Sequence, residues 1–219
     1  MRVGKAKDYR NANGCPALVD VAGKKDALES KIRDEHKRVQ IIYNSIRDKH
    51  GEYFDIFSKI YNCKCAYCGI SVGIIDMRLF EVDHFVCEAS FPNDIHGRAI
   101  SGKASNLVFS CYSCNRGKGN LLIDEGHRRL LNPDNGSIAN VFFRDDDYYI
   151  RIKKDFCDDQ TIEDFYQSLM FGSEFRRLDY LLLEIKHLIV RQRPQNACLA
   201  DKLEQCMGLM LLKRNSTLI

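Results

Sequence analysis

Three stretches between Cys63 and Asn120 hold residues whose types and spacing suit chemistry. They are Cys65-Ala-Tyr-Cys68, Glu81-Val-Asp83-His84, and the run from Asn106 to Lys118 that contains Cys111-Tyr-Ser-Cys114-Asn115-Arg116-Gly-Lys118. Two C-x2-C pairs separated by 42 residues offer four soft thiolates, the ligand number and type of a closed tetrahedral Zn2+ site with a structural role. Cys63 would give x4 instead of x2 spacing to Cys68 and is a bystander. Asp83, His84 and Asn115 suit a different task. A carboxylate and a carboxamide oxygen are hard ligands of the kind Mg2+ takes, and a neutral imidazole beside them can accept a proton from water near neutral pH.

The elements around these residues have to bring them together. Residues 1 to 24 form an irregular leader broken by Asn11, Asn13, Gly14, Pro16 and Gly23. Apolar positions at Leu28, Ile32, Val39, Ile42, Ile46, Tyr53, Phe57 and Ile60 recur at helical spacing and predict helices over 25 to 49 and 52 to 61, with Gly51 as the break. Residues 79 to 85 predict a strand, 86 to 105 a long surface loop, 106 to 110 a second strand, and a short helix starts near Asn115. Neighbouring strand residues point to opposite faces, so for Asp83 and His84 to converge the strand must end or bulge there. Beyond Asn132-Pro133 the sequence predicts a β-hairpin around the acidic run Asp145 to Asp147. A helix starts at Thr161 with Asp164 as its partner, and a long helix carrying Phe175, Leu178, Leu182, Ile185 and Ile189 is ended by Pro194. A last helix over 196 to 213 buries Leu199, Leu203, Cys206, Met207 and Met210. The fold class is α+β, in three parts: 1 to 62, a core at 63 to 131, and a hairpin with a helical layer at 132 to 219.

Composition narrows the possibilities. With 219 residues, 45% of them apolar, the chain can bury a core without a disulfide scaffold. No apolar run approaches a membrane span, and Met1-Arg-Val-Gly-Lys5 lacks the apolar segment of a signal peptide. Ten cysteines, four of them in two knuckles, fit a reducing cytoplasm better than a disulfide framework. The net charge of +3 conceals a basic excess confined to the first 62 residues, where 13 Lys/Arg face 9 Asp/Glu. That excess is too small to argue for nucleic acid by itself.

Cys65-x2-Cys68, Glu81-x-Asp83-His84, Asn106-Leu107, Cys111-x2-Cys114-Asn115 and Lys118, in that order, resemble the HNH or ββα-metal endonuclease motif in its zinc-stapled form. The resemblance implies a ββα-metal nuclease core with flanking N- and C-terminal helices. It implies a structural Zn2+ on the four cysteines and a catalytic Mg2+ or Mn2+ on Asp83 and Asn115. His84 would be the general base, Asn106 the brace of the active-site loop, and the product ends a 5'-phosphate and a 3'-hydroxyl. Many members of the family carry histidine where this chain has Asn115. Arg98, Lys103, Arg116 and Lys118 surround this site in sequence and are the candidate phosphate contacts on DNA. Lys118 leads them because it lies near one helical turn beyond Asn115.

Leu131-Asn-Pro133, the hairpin, Gln160-Thr-Ile162 and a long helix with Arg176-Arg177 are similar in layout to HNH nucleases of Septu-type bacterial anti-phage systems, which act beside an ABC-type ATPase. That layout implies such a partner. Because the motif residues all lie before Asn120 and the helices from about Thr161 to Lys213 carry more apolar positions than a small nuclease core needs, those helices are expected to be an interaction layer separate from the catalytic machinery. A non-catalytic zinc-ribbon module would account for the cysteines but not for Asp83, His84 and Asn115 together. An RNA- or tRNA-directed nuclease would account for all of them.

Overall fold

The computed structural model describes residues 6 to 216, so the reading of Met1 to Lys5 lies outside the described residues. The N-terminal part holds α1 (Val21–Glu35), α2 (Ile42–Ile46) and α3 (Glu52–Ile60). The core follows as β1 (Phe80–His84), α4 (Ile95–Ser101), β2 (Leu107–Cys111), α5 (Tyr112–Lys118) and α6 (Glu125–Leu131). The C-terminal part is α7 (Ile138–Val141), β3 (Phe142–Arg144), β4 (Ile150–Ile152), α8 (Gln160–Ser168), α9 (Glu174–Gln192) and α10 (Ala197–Ser216). The α+β class holds: β1 and β2 form an antiparallel pair, β3 and β4 another, and the rest is mostly helical.

The β1-β2 pair is in register from Phe80 opposite Cys111 to His84 opposite Leu107. On one face of it Phe80 stacks on Phe109, with ring centroids 4.9 Å apart, and Phe54 of α3 meets the edge of Phe109. The other face receives α5 and, behind it, the C-terminal part. There Phe142, Phe165 and Phe171 form an aromatic cluster with Tyr9 from the leader. One contiguous buried core therefore draws on the leader, the middle and the C-terminal part.

Several local expectations give way to tertiary contacts. The helix expected over 25 to 49 is broken between α1 and α2, because the chain turns at residues 36 to 41. The turn lets Tyr43 N donate to Gly102 O and brings the Tyr43 ring to 4.4 Å from that of His84. The leader is irregular only up to Asp20, which caps α1, so Val21 to Lys24, Gly23 among them, are helical instead of irregular; the irregular part is clamped in the core. Tyr9 Oη donates to Tyr67 O, and Arg10 Nη1 donates to Ala66 O and Pro133 O. Gly69 makes this possible: its φ of +80° suits glycine, and a Cβ there would lie 2.0 Å from Arg10 O. The surface loop expected over 86 to 105 contains α4, whose N-cap Asp94 accepts from Gly97 N. At α8 the cap is Asp159, which accepts from Ile162 N, in place of the expected Thr161–Asp164 pairing.

The long helix α9 buries Phe175, Leu178, Leu182 and Ile189 and stops two residues before Pro194. The last helix is a larger correction. It packs along α9, but only Ala200 and Arg214 are buried, while Leu199 and Cys206, expected inside, are exposed. Its main neighbour is α9, and Leu209 and Leu212 stay exposed on its outer side.

One imidazole ties the core to the C-terminal part. His127 Nδ1 lies 2.5 Å from Asp124 Oδ2, and its Nε2 lies 2.8 Å from Asp159 Oδ2, the caps of α6 and α8. The hydrogen bond to Asp159, then that to Asp124, holds the His127 pKa above its ordinary value. A raised folded-state pKa contributes stability that is present below the ordinary histidine value and is lost as pH rises through the folded value. Thermal melts should therefore show wild type more stable than His127→Gln at pH 5.5, with the gap narrowing by pH 9. A gap that stays constant or widens would remove the charge from the explanation.

Candidate active site

Cys65 and Cys68 lie on the turn after α3, and Cys111 and Cys114 bracket the junction of β2 with α5. All four sulfurs lie within 4.8 Å of one another and all four residues are buried. Cys68 Sγ and Cys111 Sγ are 3.8 Å apart. Zn–S bonds of about 2.3 Å in a tetrahedron place the sulfurs about 3.8 Å apart, so the cluster has the size of the ion it would hold. Cys63 is not a member; its sulfur contacts Ser58 Oγ. Four thiolates would fill a tetrahedral coordination sphere and leave no open position, the ligand set of a structural site. Cys111→Ser should lower zinc content and melting temperature together, since metal binding to such a site is part of the folding free energy. Well-folded wild-type protein devoid of zinc in elemental analysis would contradict this.

The residues of the second centre sort onto the two faces of β1. Glu81 and Asp83 point toward α5. Asn115 Nδ2 donates to Glu81 Oε2 at 2.5 Å, Arg116 pairs with Glu81 at 3.2 Å, and Lys118 Nζ lies 3.3 Å from Asp83 Oδ1. Residues one turn apart on α5 thus sit over residues two apart on β1. Tyr67, between the two cysteines of the first knuckle, donates its hydroxyl to Asp83 Oδ2 at 2.7 Å. Burial pushes the Asp83 carboxyl up to about 6, against the opposing pull of Lys118 and Tyr67.

His84 lies on the other face, between Tyr43 and the loop that follows β1. The strand keeps its regular register to this last residue, with no bulge, so the side chains of Asp83 and His84 point to opposite faces. His84 Nε2 is buried without a hydrogen-bond partner; the nearest carboxylate oxygen, Glu88 Oε1, is 3.5 Å away, beyond good hydrogen-bond distance. Burial lowers the His84 pKa, so the ring is neutral at neutral pH. Asn106 holds the loop beyond the strand: its Oδ1 accepts from Val86 N, and its Nδ2 donates to Val86 O and Ser101 O.

Of the four candidate phosphate contacts, Arg98, Lys103 and Arg116 are exposed, but Lys118 is not. Its side chain is fully buried and Nζ donates to His84 O at 2.8 Å. It fastens the end of β1 to α5 and compensates the Asp83 charge, which takes the place of the expected phosphate contact. A cavity of about 300 Å3 lined by Glu88, Phe91, Pro92, Gly97 and Arg98 opens beside the His84 loop. Two residues at this centre escaped the sequence reading. Glu81 stood in the motif two positions from Asp83, and strand alternation could have placed it on the same face. Nothing in the sequence pairs Tyr67 with Asp83.

Residues 65–121 match the HNH endonuclease family. No curated protein and no solved structure matches the chain. The chain therefore carries an HNH endonuclease domain over this stretch, which supports a nuclease of the HNH family.

Proposed function

We propose that this domain hydrolyses phosphodiester bonds in DNA, with His84 as general base and a divalent ion held by Asp83 and Asn115. The observation that carries the reading is the unpartnered, buried Nε2 of a neutral His84 at the end of the strand whose other face gathers oxygen donors. An imidazole nitrogen in that state has a lone pair to take a proton from water, and a buried polar atom without a partner is costly unless function requires it. Asp83 and Asn115, the latter hydrogen-bonded to Glu81, would offer an all-oxygen donor set suited to Mg2+ or Mn2+ and not to a soft metal. A bound ion supplies Lewis-acid stabilisation of the phosphate and of the departing oxygen. Tyr67 and Lys118 orient the Asp83 carboxylate, and Asn106 fixes the loop that follows His84. Exposed Arg98, Lys103 and Arg116 flank this edge and are proposed to hold the DNA backbone.

The substrate is tested by incubating the protein with plasmid DNA, single-stranded DNA and total tRNA, with Mg2+ or Mn2+ and with chelator. Metal-dependent nicking of DNA that leaves 5'-phosphate ends supports the proposal. Cleavage of tRNA alone would assign the RNA-directed reading. A cytoplasmic setting and a role in anti-phage defence beside an ABC-type ATPase, as the Septu-like layout implies, belong to the same proposal. Thiolate ligands need a reducing compartment, and Leu209 and Leu212, 69% and 68% exposed on α10, offer a partner an apolar surface.

A further inference from the structure

The cysteine centre has a fifth participant that no motif points to. Arg176 of α9 is 2% exposed, and its guanidinium lies against the sulfurs. Nη1 donates to Cys68 Sγ at 3.1 Å and approaches Cys111 Sγ at 3.6 Å, while Nη2 donates to Cys114 Sγ at 3.0 Å. Nε and Nη2 also donate to Leu169 O, at 3.2 and 3.0 Å. A buried guanidinium is costly unless negative charge faces it. Asp179, one turn along α9, attracts Arg176 only at a distance: its Oδ1 accepts from Arg214 Nε of α10 at 2.7 Å and its Oδ2 has no hydrogen-bond partner. The sulfurs are the negative groups its N–H atoms touch.

We propose that Arg176 is a constituent of the zinc centre, a claim that rests on the reading of the four cysteines as a zinc site. Four thiolates and one Zn2+ leave a net charge of −2, and Arg176 offsets half of it where water cannot. Its N–H groups also hold three of the four sulfurs in place, as outer partners of metal ligands generally do. The helix that carries it belongs to the C-terminal layer, so that layer sets how firmly zinc is held. Two of the sulfurs bracket the start of α5, which carries Asn115. The layer therefore supports the catalytic edge through the metal centre.

The test uses full-length, zinc-loaded protein. Zinc release into excess chromogenic chelator is timed for wild type, Arg176→Met and Arg176→Lys, with circular dichroism to establish that each is folded. The same three proteins are loaded with Co2+ to read the thiolate-to-metal absorption band. Release should quicken about 10- to 100-fold in Arg176→Met, the usual cost of removing an outer partner of a metal ligand, and by less in Arg176→Lys. The cobalt band should move to longer wavelength in Arg176→Met, since N–H donors lower the energy of the sulfur lone pairs. Where Arg176→Met loses secondary structure, Arg176→Lys decides, because it keeps the charge but loses the forked contact. Folded variants that release zinc at the wild-type rate with an unmoved cobalt band would overturn the proposal. Wild-type protein that binds no zinc would overturn the zinc reading and the proposal with it.

Discussion

Replacement of His84 by alanine is expected to slow cleavage by about 10^2- to 10^4-fold, the usual contribution of a general base, with little change in stability. The imidazole donates no structural hydrogen bond through Nε2. The contact Lys118 makes is to the main-chain oxygen of His84, which alanine keeps. What is lost to the fold is one ring contact with Tyr43, worth about 0.5 to 1.5 kcal/mol. Asp83→Ala should behave differently. It too should be inactive, but it leaves the buried ammonium of Lys118 without its carboxylate and the Tyr67 hydroxyl without its acceptor. A buried pair broken by removing one partner costs about 3 to 5 kcal/mol, so its melting temperature should fall well below that of His84→Ala. Single-turnover cleavage and thermal melts on both variants check this. A His84→Ala protein that cleaves at the wild-type rate under matched metal would place the base elsewhere.

A chain ending at residue 155 is expected not to fold, although the sequence makes the C-terminal helices look like a separable layer. Truncation removes Ile162, Phe165, Leu169 and Phe171, all fully buried in the same core as Tyr9, Tyr67 and Phe142. At about 1.5 to 3 kcal/mol for each buried side chain, the loss is on the order of 6 to 12 kcal/mol, comparable with the whole stability of a typical domain. It also removes Arg176 from the cysteine centre. Circular dichroism and zinc content of the truncated chain measure both effects. A folded, zinc-bearing 1 to 155 fragment would contradict the single core described above.

What the sequence made legible was whatever is local or carried by ligand type. The paired cysteines, the strand ending at His84, the hairpin around Asp145 and the reach of α9 up to Pro194 all follow from spacing, alternation or turn chemistry within a few residues. What it did not show depends on distant chain segments. Lys118 looked like a phosphate contact because its type and position suit one. Its burial follows from the packing of α5 on β1, which puts Asp83 and the carbonyl of His84 within its reach. The break between α1 and α2 serves Tyr43 and Gly102, 59 positions apart (102 − 43), and no window of helical periodicity spans that distance. Arg176 reads as one charge in an amphipathic helix until the fold sets it against Cys68 and Cys114. The outer side of α10 was misjudged for the converse reason. Its apolar spacing predicts burial, but α9 is its main neighbour and Leu199, Cys206, Leu209 and Leu212 stay exposed.

Asp83 and the elements around it are proposed to hold a catalytic ion at a place distinct from the four-cysteine cluster. Binding of Mn2+ to zinc-loaded protein, followed by electron paramagnetic resonance on wild type and Asp83→Ala, tests it most directly. One Mn2+ is expected to bind per wild-type chain, none at the same concentrations in a folded Asp83→Ala protein, with the zinc content unchanged in both. Equal Mn2+ binding by the two proteins would contradict it.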